Sequence, residues 1–123
     1  MLGRVLLVDD DEFARGFVRA VLERAGFEVH EFEDVAKAIS SASLLDPAVV
    51  ITDWNLPDGD GGELARRLHQ RVADLPVILI TGDAHKIEEC VSEELLREFT
   101  TILHKPFPPS AIEKAIHEAI GQG

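Results

Sequence analysis

The stretch that decides the fold is VVITDWNLP, residues 49–57. Its first four residues are apolar or β-branched, which is typical of a strand buried in a sheet, and Asp53 follows them directly. Pro57 and the next residues, Asp58 and Gly59, favour turns, so the chain leaves the strand in a loop. An acidic side chain is therefore expected where a buried strand ends.

Three other apolar segments end in the same way. They are Val5–Asp10 (VLLVDD), which ends in two acids, Val77–Thr81 (VILIT), which ends in a hydroxyl, and Ile102–Lys105 (ILHK), which ends in a cation. The carboxyl ends of parallel strands meet at one edge of a sheet, so these side chains are expected to lie beside Asp53. The strand ends together predict a functional site.

Runs with helical spacing separate the strands, so the order strand then helix occurs five times. This alternation predicts one α/β domain over residues 1–123, a parallel sheet wrapped by helices. Glu28–Phe32 has the more polar alternation of an edge strand. Each of the first three helices has an apolar stripe that is expected to face the sheet. The first stripe is Phe13, Phe17, Val21 and Ala25, and Gly26 ends that helix. The second is Val35, Ala38, Ile39 and Ala42, closed by Ser40–Ser43 and Pro47, and the third is Leu64, Leu68 and Val72.

Residues His85 to Phe99 are predicted to form one helix with an apolar stripe and an exposed face of five glutamates. Cys90 falls in that stripe, which favours a buried structural thiol. The last helix has apolar residues from Ile112 to Ile120 and ends at Gly121.

Composition excludes several classes of function. Twelve basic and twenty-three acidic residues give a formal net charge of −11, which disfavours direct binding of nucleic acid. The longest apolar runs have strand length, so neither membrane insertion nor a signal peptide is expected, and the protein is predicted to be soluble and cytoplasmic. The five histidines lie on separate predicted elements without the spacing of a metal site, and most are expected to be solvated.

The motifs, taken together and in order, resemble the receiver domain of two-component response regulators. The resemblance rests on VLLVDDDE at residues 5–12, DWNLP at 53–57, the strand-ending Thr81 and KPF at 105–107, and it spans the whole chain. It implies a flavodoxin-like fold, a five-stranded parallel sheet of order 2-1-3-4-5 with helices on both faces.

Three carboxylates that converge in a small volume repel one another, and a hard divalent cation with oxygen ligands relieves that repulsion. Mg²⁺ is therefore expected, and Mn²⁺ is expected to substitute for it. The resemblance implies that the metal ligands are Asp10, Asp53 and the main-chain carbonyl of Asn55, with Asp9 orienting a metal-bound water.

The resemblance also implies the role of each remaining residue. Asp53 is the phosphoacceptor, Lys105 and Thr81 contact the phosphoryl oxygens, and a cis peptide before Pro106 turns Lys105 inward. The donor is a histidine kinase or a histidine phosphotransfer protein, and the changed surface acts on a downstream partner or an output domain outside this chain. Such a domain is a switch and not a turnover enzyme, and it can form a homodimer through the fourth helix, fifth strand and fifth helix.

The chain departs from the family at two places near the site. Ile102 stands where most receivers have an aromatic residue whose rotation accompanies the inward movement of the threonine, and Phe99-Thr100-Thr101 replaces the usual small residues. Asn55 and Asp83 occupy positions that tune the lifetime of the acyl phosphate.

Simpler interpretations of the same residues remain open at this stage. Asp9 and Asp10 could cap the first helix, Asp53 could belong to an ordinary turn, Thr81 could simply close a strand, and Lys105 could be solvated. Trp54 could gate access to Asp53 or only pack beside it.

Other functions also remain open. They are a pseudo-receiver that binds without phosphorylation, a phosphate-sink receiver, and a phosphohydrolase of the haloacid dehalogenase type, whose second acid would stand where this chain has Asn55.

Overall fold

The computed structural model describes residues 2–121, which form a sheet between two layers of helices. The elements in chain order are β1 (Arg4–Val8), α1 (Glu12–Arg24), β2 (Glu28–Phe32), α2 (Val35–Leu45), β3 (Val49–Asp53), β4 (Asn55–Leu56), β5 (Gly59–Asp60), α3 (Gly61–His69), β6 (Val77–Thr81), α4 (Ala84–Cys90), α5 (Glu93–Leu96), β7 (Thr101–His104) and α6 (Pro109–Ile120).

The large sheet has the strand order β2-β1-β3-β6-β7, and every neighbouring pair is parallel. Strands β4 and β5 form a separate antiparallel pair of two residues each. Counted within the large sheet alone, the order is 2-1-3-4-5, so the predicted topology is confirmed. Glu28–Phe32 lies at one edge, as its polar alternation predicted.

Two apolar layers hold the helices to the sheet because successive strand residues face opposite sides. In β1, Leu6 and Val8 pack with α2 and α3, whereas Val5 and Leu7 pack with α1 and α6. All five residues of β3 and of β6 are buried. These two central strands therefore hold their carboxyl ends in fixed positions.

The predicted stripe of α1 is wrong at its beginning. Phe13 is 90% exposed and Phe17 is 43% exposed, while Val18, Val21 and Leu22 are buried against the sheet. Steps of four residues drift by about 40° each around a helix of 3.6 residues per turn, so a long stripe of such steps leaves the buried face. Gly26 follows this helix with a φ of 98°, which confirms the predicted stop.

Two helix ends also differ from the prediction. Helix α2 continues through Ser40–Ser43 to Leu45 and is closed by Asp46, which has a left-handed φ of 46°. Helix α3 ends at His69, so Val72 lies beyond it and is 51% exposed.

The predicted helix from His85 to Phe99 is in fact two short helices. Val91 has extended backbone angles, and the Ser92 hydroxyl accepts a hydrogen bond from Leu95 N at 3.2 Å to begin α5. Serine competes for backbone amides in this way, which is why it favours helix starts. Cys90 is exposed at the end of α4, so the prediction of a buried thiol is wrong.

No helix within residues 2–121 is long and apolar enough to cross a membrane.

Gly61, the first residue of α3, lies against the end of β3. A Cβ atom at this position would be 2.6 Å from the Asp53 carbonyl oxygen and 3.2 Å from Leu79 Cδ1. Backbone atoms of a buried strand cannot give way by that amount, so the approach of α3 to the sheet requires glycine.

We expect Gly61→Ala to lower the melting temperature by about 5 °C or more, because overpacking of this kind costs roughly 1–3 kcal/mol. Gly16→Ala in α1 is the matched control, since a Cβ there meets no atom within 4 Å. The control is expected to raise the melting temperature through helix propensity. Thermal unfolding of both variants tests the contact, and a wild-type melting temperature for Gly61→Ala would contradict it.

Candidate functional site

Three carboxylates lie together at the carboxyl edge of the sheet. Asp9 and Asp10 follow β1, Asp53 is the last residue of β3, and one carboxylate oxygen of each lies within 4.8 Å of the others. Asp9 is fully buried and Asp53 is 9% exposed, whereas Asp10 is exposed. The group therefore has a buried base and an opening to solvent beside Asp10.

Asp11, and not Asp9 or Asp10, caps helix α1. Its carboxylate accepts hydrogen bonds from Phe13 N at 3.0 Å and Ala14 N at 3.5 Å. The Asp9 carboxylate instead accepts from Asp11 N at 2.9 Å, which turns the chain at the strand end. The interpretation of the two acids as helix caps is therefore wrong.

Lys105 reaches the carboxylate group from the end of the edge strand β7. Its Nζ lies 3.2 Å from Asp53 Oδ2 and 3.4 Å from Asp9 Oδ2, and its backbone N donates to the Thr81 carbonyl at 2.8 Å. The Lys105–Pro106 peptide is cis, as predicted. A lysine with these two partners is not a freely solvated one.

Burial and charge act in opposite directions on these groups. Burial raises the pKa of Asp9, and the hydrogen bond from Asp11 N and the attraction of Lys105 offset only part of that rise. Burial also opposes the charge of Lys105, but attraction to Asp9 and Asp53 outweighs it and raises the pKa of the ammonium. Lys105 thus stays a cation, whereas burial disfavours the charged form of Asp9.

Both carboxylate oxygens of Asp53 have partners. Oδ1 accepts from Trp54 N at 2.7 Å, and Oδ2 faces Lys105. The Trp54 ring is half-buried and packs edge-on against Phe99 with ring centroids 6.4 Å apart, which favours the packing role over the gating one.

Thr81 ends β6, the strand that pairs with β3, and Asn55 follows Asp53 in β4. The Thr81 side chain is buried, and its Oγ1 accepts from Asp83 N at 3.2 Å. Asp83 in turn caps α4 by accepting from Lys86 N. Thr81 and Asn55 line a hollow of about 410 Å³ that extends towards α4.

Ile102 lies on the neighbouring edge strand and points into the apolar layer that contains α2 and α3. Close to it, His104 Nε2 lies 2.9 Å from the Gly82 carbonyl, so the loop after β6 is linked to β7 through a histidine. His69 is also more engaged than a solvated side chain, since its ring nitrogens lie 2.6 Å from Glu98 and 2.7 Å from the Leu75 carbonyl.

Sequence reasoning missed two residues that hold the segments following β1 and β3. Arg15 Nη1 donates to the Asp9 carbonyl at 2.8 Å, and its Nε donates to Glu31 at 3.0 Å. Asp58 accepts from two backbone amides of α2, although its sequence neighbours suggested only a turn. Neither contact has a signal in the sequence, because each joins segments that only the fold brings together.

The donor set fits a hard divalent cation. All three side chains offer carboxylate oxygens, and no nitrogen or sulfur ligand lies among them in the described part of the chain. Mg²⁺ prefers such oxygens and retains waters in its remaining positions, so an opening beside Asp10 suits it.

A doubly wound parallel sheet of this kind defines a class of α/β domain that binds its ligands at the carboxyl ends of the strands, which is where the three acids and Lys105 lie. The family model that describes the response regulator receiver domain matches residues 5–117. The chain therefore belongs to the receiver domain family of two-component response regulators, as the sequence resemblance predicted.

Curated relatives agree with this assignment. The chain is 39% identical over 118 residues to the C4-dicarboxylate transport transcriptional regulatory protein DctD of Pseudomonas aeruginosa. The match covers 95% of the chain but 25% of that protein. It is 30% identical over 122 residues to the chemotaxis protein CheY1 of Helicobacter pylori, and the match covers 96% of this chain and 97% of CheY1. The chain thus spans about a quarter of DctD and nearly all of CheY1.

Solved structures show the same fold. A sensor protein from Polaromonas sp. JS666 has a TM-score of 0.87 at 28% identity, with 95% of this chain and 94% of that chain covered. The non-phosphorylated HemR receiver domain of Leptospira biflexa has a TM-score of 0.83 at 27% identity, with 98% of this chain and 95% of that chain covered.

The pKa of Asp9 is raised in the folded state, so the stability of the metal-free protein is expected to depend on pH. The unfolded carboxyl has a pKa of about 4, so the folded state loses stability as the pH rises through the higher folded value. We expect Asp9→Asn to melt above wild type at pH 7 and the gap to close as the pH falls towards about 4.

Melting curves across that range test the effect, with Asp74→Asn, an exposed acid before β6, as the control that should show no gap. A gap that is absent at pH 7, or equally large at both ends of the range, would contradict this account of Asp9.

Proposed function

We propose that this receiver domain, taken as residues 1–123, is a phosphorylation-dependent switch in which Asp53 accepts the phosphoryl group. The observation that carries the proposal is the convergence of Asp9, Asp10, Asp53 and Lys105 at one edge of the sheet. A carboxylate nucleophile needs positive charge beside it to approach a phosphoryl donor, and Lys105 supplies it.

In the proposed step an Asp53 carboxylate oxygen attacks phosphorus and a new P–O bond forms. The bond from phosphorus to the donor breaks, and its electron pair leaves with the donor, which is imidazole nitrogen for a phosphohistidine and acetate oxygen for acetyl phosphate. Lys105 then contacts a phosphoryl oxygen instead of the free carboxylate. Bound Mg²⁺, held by Asp10, Asp53 and the Asn55 carbonyl, with Asp9 orienting a metal-bound water, would neutralise the acids and the incoming phosphoryl charge.

Thr81 is suited to contact the phosphoryl group. Its oxygen accepts from Asp83 N, but its own O–H proton has no acceptor among the described hydrogen bonds. That proton is therefore available to a phosphoryl oxygen. Asn55 and Asp83 flank the same hollow, and we propose that they set how readily water reaches the acyl phosphate.

We propose that the donor, a histidine kinase or a histidine phosphotransfer protein, docks over α1. Phe13 and Phe17 project from this helix, and Phe107 lies 6.2 Å from the Phe17 ring. They line a hollow of about 500 Å³ whose wall includes Lys105. An exposed aromatic surface beside a phosphoryl site suits a protein donor that must bury apolar area while delivering its group.

The downstream partner is proposed to bind the face formed by α4, β7 and α6, which changes when the loop after β6 moves. The same face is where a homodimer would form. We propose that the domain works in the cytoplasm, where its exposed Cys90 thiol stays reduced. We also propose that it is no turnover enzyme, since Asn55 stands where a phosphohydrolase of the haloacid dehalogenase type needs an acid.

We expect acetyl phosphate to label wild-type protein only with Mg²⁺ or Mn²⁺ present, and Asp53→Asn to abolish labelling. Lys105→Gln should slow labelling on the order of 100-fold, the usual effect of removing one charge-stabilising group. Intact-protein mass spectrometry measures the added phosphoryl group, and Asp74→Asn should label like wild type. Metal-independent labelling would sink the site assignment, and wild type that never labels would indicate a pseudo-receiver.

Phosphorylation is expected to alter the loop from Gly82 to Lys86 despite Ile102. A dianion beside Thr81 and Lys105 forms new charge-assisted bonds, and the bond from the Thr81 hydroxyl is expected to draw it, with the Asp83 N–H that it accepts from, towards the phosphoryl group. Hydrogen exchange with and without a beryllofluoride phosphoryl mimic should show changed protection in this loop and in α4. Thr81→Ala is the control that should lose the change.

Unchanged protection in the loaded wild-type protein would show that Ile102 has uncoupled the loop. The domain would then act as a phosphate sink instead of a transmitter.

A further inference from the structure

The segment from Asp53 to α3 is a small closed unit. Its β4 and β5 strands pair antiparallel, Gly61 N donates to the Trp54 carbonyl at 2.8 Å, and Asp60 caps α3 by accepting from Glu63 N at 2.8 Å. These bonds close the segment on the α3 side. They leave its outer turn, at Pro57 and Asp58, to be held by something else.

Asp58 holds that turn by capping a different helix. Oδ1 accepts from Val35 N at 2.8 Å and Oδ2 accepts from Ala36 N at 3.0 Å, and these are the first two amides of α2. The helix's own cap, Asp34, accepts from Lys37 N instead. The free amides at the start of α2 are thus divided between a local acid and a remote one.

Several observations indicate that the contact of Asp58 with α2 is a specific feature of the fold. The two backbone hydrogen bonds lower the pKa of Asp58, so the carboxylate is the form that the site favours. Gly59 lies beside Val35, since a Cβ at Gly59 would be 3.4 Å from Val35 Cγ2. Within residues 2–121, the two bonds of Asp58 are the hydrogen bonds that join this segment to α2.

We propose that Asp58 is a positioning residue: by tying the turn to α2 it sets where the Asn55 carbonyl stands relative to Asp10 and Asp53, and so sets the affinity for Mg²⁺. This inference rests on the proposed function, which makes that carbonyl a ligand. Asn55 belongs to β4, which pairs with β5 across the turn, so a displacement of Asp58 is transmitted to Asn55 through the ladder.

The physical reason is the rigidity that Mg²⁺ demands. It requires near-octahedral oxygen geometry, and a ligand on a loose loop must be ordered each time the metal binds. Groups that orient metal ligands change affinity by about 10–100-fold when removed. A tether with two hydrogen bonds belongs at the lower end of that range.

The test compares Asp58→Ala with Asp34→Ala. Both variants remove a cap from α2, but only Asp58→Ala frees the turn. Titration of Mg²⁺ against Trp54 fluorescence should show about tenfold weaker binding for Asp58→Ala and near wild-type binding for Asp34→Ala. In metal-free buffer, hydrogen exchange at residues 55–60 should speed up in the first variant alone.

Glu63→Gln is the control for the loss of a negative charge, because it removes a neighbouring acid that takes no part in the hydrogen bonds between Asp58 and α2. This variant should bind Mg²⁺ like wild type at about 0.15 M salt, where salt screens the charge of an exposed side chain. Asp58→Asn, which keeps one acceptor oxygen, should fall between wild type and Asp58→Ala.

Unchanged Mg²⁺ affinity in Asp58→Ala would overturn the inference, as would equal losses in Asp58→Ala and Asp34→Ala. Wild-type protein that binds no Mg²⁺ would instead defeat the proposed function. The two failures are therefore distinguishable.

Discussion

The repulsion among Asp9, Asp10 and Asp53 is the constraint on which the rest of the site depends. The sheet holds the ends of β1 and β3 side by side, so the acids cannot separate. Lys105 relieves part of the repulsion in the metal-free state, and burial keeps the pKa of Asp9 raised in spite of it. The metal-free site therefore holds unrelieved negative charge, which favours a cation.

The surrounding contacts keep the acids in place without neutralising them. Asp11 takes the role of helix cap, which leaves Asp9 to turn the chain and Asp10 to face solvent. Arg15 binds the carbonyl of Asp9 and not its carboxylate. The backbone around the site is thus tightly held, and the Asp10 carboxylate is left facing solvent.

Much of this arrangement could be predicted from particular residues. VITD at the end of β3 and VILIT in β6 are long enough, and apolar enough, to be buried strands in almost any context. Errors arose where one local signal competed with another. Cys90 continues a helical stripe, but Ser92 starts a new helix and leaves the thiol exposed. Phe13 matches a four-residue step that the real helix does not keep on its buried face.

The sequence by itself determined the alternation of five sheet strands with helices and the polar residues at the ends of four of those strands, because buried strands and their terminal polar residues are local properties of the chain. Only the tertiary structure decided which acid caps α1, where Lys105 Nζ lies and that Asp58 caps α2. The contacts of Lys105 and Asp58 join segments far apart in sequence, with geometry set by sheet register and helix packing. The cap of α1 is a local contact of Asp11, and the choice among three adjacent acids depends on where β1 ends and α1 begins. No local pattern encodes a distance between remote segments. The candidate residues could therefore be predicted from the sequence, but the role of each could not.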